Sequence, residues 1–98
     1  MRLLSNTLMG YVNGEIMKNT YDAYDAVIPI RHYSAKDIKE ICRRQGVSQG
    51  FLANWLGVSI KTVQAWESGA NEPNGPSSRL LWLLEESKMQ VDVFIDNA

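Results

Sequence analysis

A chain of 98 residues, 45% hydrophobic and 21% charged, has the make-up of one ordinary globular domain with a small core and modest stability. Its single cysteine, Cys42, excludes an internal disulfide and fits a reducing cytosol, and no stretch reaches the apolar length of a membrane span. A net charge of −1 argues against a strongly polyanion-binding chain, but the charge is unevenly spread: between Ile41 and Trp66 no acid opposes Arg43, Arg44 and Lys61. That window reads either as a weak basic face inside a neutral protein or, taken alone and more simply, as a lightly charged solvated surface.

Along the chain, residues 1–33 read as an arm. The apolar run near Met1 is too short and broken for a secretory signal. Leu3, Leu4, Leu8, Tyr11, Val12 and Ile16 include spacings of three and four, which predicts a short amphipathic helix near residues 5–18. Asn19-Thr20 and Asp22 break it, and Val27-Ile28-Pro29-Ile30 reads as extended because Pro29 lacks an N–H and biases Ile28 away from helix.

Residues 34–88 read as a compact helical unit. Ser34 with Asp37 forms a near capping box, Ile38 and Ile41 give an apolar stripe, and Gly46 stops the helix. Ser48 caps a second helix whose inner face is Leu52, Ala53 and Leu56, and which Gly57 ends. Ser59 caps a third, with Val63 and Trp66 inward and Gly69 at its end. The loop ANEPNGPSS leads to a fourth helix starting at Pro76 or Ser77 and running to about Ser87. Leu80 to Leu84 leave it hardly any polar face, so a partner chain is the expected cover, with Leu80, Leu81, Trp82 and Leu84 at a homodimer interface. Residues 89–98 form a tail whose VDVFI has strand propensity or continues the helix. The fold class expected is all-α, four to five helices with an N-terminal arm.

Only Gly57-Val58-Ser59 separates the second and third helices. Ala53 is small enough for the close crossing this demands, and Gly57 can take the positive φ of the turn. At 100° per residue from an inward Val63, Lys61, Ala65 and Ser68 point outward and Thr62 and Gln64 lie on the flanks.

SQGFLANWLGVSIKTVQAWESG, from Ser48 to Gly69, resembles the Cro/CI-type helix-turn-helix regulators, through Ser48-Gln49, Ala53, Leu56-Gly57-Val58-Ser59, Thr62-Val63, Trp66-Glu67 and Gly69. Pro73 and Gly75-Pro76 before Leu80-Leu81 extend the likeness toward HigA-like and MqsA-like antitoxins. The likeness covers residues 34–88. It implies a bacterial or phage cytoplasmic repressor, homodimeric, bound to a palindromic double-stranded DNA operator, with a toxin protein as the partner of the antitoxin subgroup and no cofactor. It also implies a third helix lying in the major groove. Lys61 would then donate to guanine, Gln64 would reach adenine or phosphate, and Thr62 would meet phosphate or a thymine methyl. Ser48, Gln49 and Ser59 would hold phosphate at helix N-termini, and Ala65 would offer a methyl contact. Relatives often carry Arg where Cys42 stands, paired with the acid at Glu67; here Arg43, Arg44 or water is left to meet that carboxylate. Phe51 and Trp55 replace polar residues, as extra core or as an exposed aromatic patch.

Other chemistry finds little footing. One histidine, His32, and one cysteine make no zinc set, and Gly10 and Gly14 lack the Lys-Ser/Thr of a phosphate loop. No enzyme is expected. The rival from another class is a protein–protein module that kept this fold without DNA binding.

Overall fold

The computed structural model describes residues 11–12, 15–16, 21 and 26–96. Tyr11–Val12 (β1) and Glu15–Ile16 (β2) pair antiparallel, Tyr11 opposite Ile16 and Val12 opposite Glu15. This corrects the helix expected near 5–18, of which the other residues lie outside the described set. The intervening sequence is Asn-Gly, the pair most favoured in two-residue hairpin loops, and that local turn chemistry outweighs the helical spacing of the apolar residues.

The remaining regular elements among the described residues are helical: α1 Ala35–Gln45, α2 Gln49–Leu56, α3 Ile60–Ser68 and α4 Gly75–Glu85, followed by a 3-10 turn at Val91–Phe94. Each of the four has a side-chain N-cap. The Ser34 box is complete: its hydroxyl accepts the Asp37 N–H at 3.2 Å, and Asp37 accepts the Ser34 N–H at 2.9 Å. α1, α2 and α3 all end on a left-handed glycine, at Gly46, Gly57 and Gly69. α4 begins earlier than its leucines suggest. Asn74 accepts the Ser77 N–H at 2.9 Å, and Pro76 sits in the first turn, where its missing N–H leaves no bond unmade.

α3 packs on both α1 and α2, and α4 packs on α1. The core between them is built from Tyr33, Ile38, Ile41, Cys42, Leu52, Ala53, Trp55, Val63, Trp66, Leu81 and Leu84. Two expected interface residues are therefore reassigned. Leu81 and Leu84 are fully buried within the protomer, because with Ser77 and Ser78 they form the inner face of α4. Neither is free to meet a second copy, whereas Leu80 and Trp82 stay half-buried on the remaining surface.

The core also reaches beyond 34–88. Tyr33 is buried, and its hydroxyl donates to Glu85 Oε1 at 3.0 Å. The Arg31 guanidinium lies over the Tyr33 ring, 4.3 Å from its centre, and pairs with Asp37 at 3.5 Å and Glu85 at 3.2 Å. Residues 31–33 thus strap the start of α1 to the end of α4. The tail is likewise not separate: Met89 and Val91 pack against the core, and the Phe94 ring sits 5.0 Å from that of Trp55, tilted by 50°. Among the described residues no helix is long and apolar enough to cross a membrane.

Candidate nucleic-acid interface

The α2–α3 corner is built as its sequence predicts. Gly57 adopts φ +78°, and Val58 donates back to the Ala53 carbonyl at 2.9 Å. Ala53 and Val63 are buried at the crossing, so the orientation of α3 is set by close packing and not by a flexible link.

On α3, Lys61 and Gln64 are exposed, with Ser59 exposed ahead of them, while Thr62 and Ala65 are half-buried along the edge. The Ser59 hydroxyl accepts the Thr62 N–H at 3.2 Å and lies 3.0 Å from the Thr62 hydroxyl. Ser48 does the same for α2, accepting the Phe51 N–H at 3.0 Å. Both serine oxygens are thus committed to capping. What the two helix starts present outward is their first-turn N–H groups and the positive end of the helix dipole.

The electrostatics of α3 are decided by where Glu67 goes. It is half-buried, accepting from Gln49 Nε2 at 2.9 Å through Oε1 and facing the Cys42 thiol at 3.8 Å through Oε2. Neither Arg43 nor Arg44 meets it, so Gln49 and Cys42 together stand where an arginine was expected. Gln49, read as a phosphate ligand, has its amide N–H turned inward to tie α2 to α3. No local sequence signal links two residues eighteen positions apart. With Glu67 withdrawn, Lys61 is the one charge left on the outer face of α3. Cys42 itself is buried in the core, and its thiol is pushed up to about 11 by that burial and then by the Glu67 carboxylate.

The weak basic face predicted for 41–66 does not form as a unit. Arg43 donates to Glu40, Nε to Oε1 at 3.0 Å, and these bonds hold Glu40 below the usual carboxylate range. Arg44 lines a small hollow with Asp37, Glu40 and Glu85. The acids lie outside the acid-free window but are brought beside the arginines by the helical turn of α1 and by the packing of α4. Lys61 stands apart from them.

The aromatic question is also answered. Trp55 is 7% exposed and covered by Phe94, and Phe51 is half-buried, so both extend the core toward the tail. One residue with no assigned role stands out: Ile60, the first of α3, is 45% exposed beside Ser59 and Lys61. α2 places Gly50 opposite it, which has no side chain to cover it.

No protein-family model matches the chain, and a search of curated proteins gave no match.

Proposed function

We propose that the chain is a sequence-specific, double-stranded DNA-binding regulator that inserts α3 into the major groove. The observation that carries this reading is the outer face of α3. It is rigidly presented by a three-residue turn, cleared of its only acid by the Gln49–Glu67 bond, and left with Lys61, Gln64 and two helix starts on one side. A major groove admits one α-helix and offers acceptor-rich guanine edges to a lysine. The starts of α2 and α3, which lie beside each other, suit phosphate oxygens along its edge.

Two-fold operators follow if two copies associate, and the half-exposed Leu80 and Trp82 are the α4 residues left for that contact. Selection of bound sequences from random duplexes is the test, and an enriched two-fold symmetric site is expected. Lys61→Ala should then cost about 1–3 kcal/mol if Lys61 reads a base. If it meets phosphate instead, a dimer should lose about 2 from its salt slope.

An antitoxin role is the finer form of the same proposal. It is supported by the likeness of Trp66-Glu67, Gly69, Pro73 and Gly75-Pro76 to that subgroup. Val27 and Ile28, 71% and 57% exposed, add apolar surface that the protomer leaves uncovered. Capture of a small toxic protein by the full chain, lost on deleting residues 1–30, is the expected result; a chain that binds its operator and captures nothing sinks it. The rival protein-binding module loses one of its motives, since Trp55 is buried. Failure to select any duplex at low salt would restore it.

A further inference from the structure

We propose that Ile60 reads the 5-methyl group of a thymine in the major groove, an inference that rests on α3 being a groove-entering helix. Between Ser34 and Lys88 every large hydrophobic residue is buried or half-buried except Ile60, which is 45% exposed. A β-branched residue is a mediocre helix former, and nearly half of this one's surface stays in water. The other exposed apolar residues belong to the arm and the tail.

Ile60 is also held in place. Its Cδ1 lies 3.6 Å from where a Cβ on Gly50 would stand, so its tip rests against the first turn of α2. A β-branched side chain so seated has little rotamer freedom left to lose on docking. Its sequence neighbours Ser59 and Lys61 are polar and exposed, at the helix end that meets base edges in groove-reading helices. The major-groove edge of the bases carries one apolar group, the thymine methyl. An isoleucine facing any other base edge would bury polar atoms without partners.

The test uses the full chain and the site recovered by selection from random duplexes. Each thymine of a half-site is replaced in turn by deoxyuridine, which keeps the pairing and removes only the methyl. One position per half-site should weaken binding about fourfold, the effect of taking one methyl out of apolar contact. Ile60→Ala should bind thymine and uracil duplexes equally at that position, and Ile60→Val should keep part of the preference. Thermal unfolding verifies that both variants are folded. The inference is overturned if no uracil weakens binding, if Ile60→Ala discriminates as well as the parent, or if the selected half-site holds no thymine. In each of these the DNA-binding reading survives. A selection that enriches no duplex overturns both.

Discussion

Single side chains set both the exposed chemistry and the pH limits of this protein. Gln49 is the clearest case, because its amide spends itself on Glu67 and so determines what α3 shows outward. Gln49→Ala should lower stability by about 1.5–3 kcal/mol, the range for losing a hydrogen bond to a charged group. In urea unfolding the midpoint should drop with an unchanged slope, and on the proposed DNA-binding reading the freed carboxylate should also weaken duplex binding. Cys42 and Tyr33 govern the alkaline side. Burial raises the thiol from 9.0 to about 11 and the phenol from 10.0 to about 12, each helped by a neighbouring carboxylate. A raised pKa in the folded state means stability that is complete below the unfolded value and lost as pH climbs to the folded one. Stability should therefore fall from about pH 9 toward 12. Urea midpoints measured at pH 8.5 and 10.5 check this, and Cys42→Ala should flatten the early part of the fall. Asp37 works in the opposite direction. Its capping bond to the Ser34 N–H depresses it below 3.8, so its contribution holds above that pH and fades as acid protonates it.

At the level of elements, caps and turns act as local instructions that longer patterns do not override. Gly57 at φ +78° has open space where a Cβ would go, so Gly57→Ala tests the backbone alone. It should cost about 1 kcal/mol through the left-handed conformation, with no clash to relieve. A loss much above that, read from thermal unfolding, would mean that the α2–α3 crossing angle itself had shifted. The boundaries of α1, α2 and α3 are legible in the sequence because serine caps and terminal glycines bracket each apolar run. Two elements were less legible for opposite reasons. In the arm, Asn-Gly between Val12 and Glu15 is a hairpin signal masked by apolar residues at spacings that also suit a helix. In α4 the cap is Asn74 and not a residue beside the leucines, since Gly75 and Pro76 both fit a first turn.

For the molecule as a whole, the helical unit is closed by segments from both sides of it. Arg31 and Tyr33 strap α1 to α4, while Phe94 lids Trp55, whose Nε1 is buried without a partner. A double-mutant cycle of Phe94→Ala with Trp55→Phe should return a coupling of about 0.5–1.5 kcal/mol; additivity would mean that the ring contact carries no stability. The split of α4 into an inner and an outer face gives a sharper test. Leu81→Ala should cost about 2–5 kcal/mol at any protein concentration, because it opens a cavity inside one protomer. Leu80→Ala with Trp82→Ala should leave the chain folded and, on the proposed dimer, shift the association that sedimentation measures. Loss of folding in that pair would place these residues in the protomer core as well.

What the sequence determined by itself is the local grammar: four helices, the serine caps and terminal glycines of the first three, the three-residue turn, and the outward direction of Lys61. All of these depend on residues within a turn or two of each other, where spacing and side-chain chemistry suffice. What only the tertiary structure decided is which groups meet. Glu67 finds Gln49 and Cys42, Arg43 pairs with Glu40, Arg44 shares a hollow with Asp37, Glu40 and Glu85, and Leu81 and Leu84 turn into the chain's own core. Tyr33 joins the core from the arm, Phe94 lies against Trp55 from the tail while staying exposed itself, and Ile60 is left partly uncovered opposite Gly50. Each of these outcomes is a choice among partners far apart in the chain. Such choices follow from how helices cross and pack, which no single stretch of residues encodes.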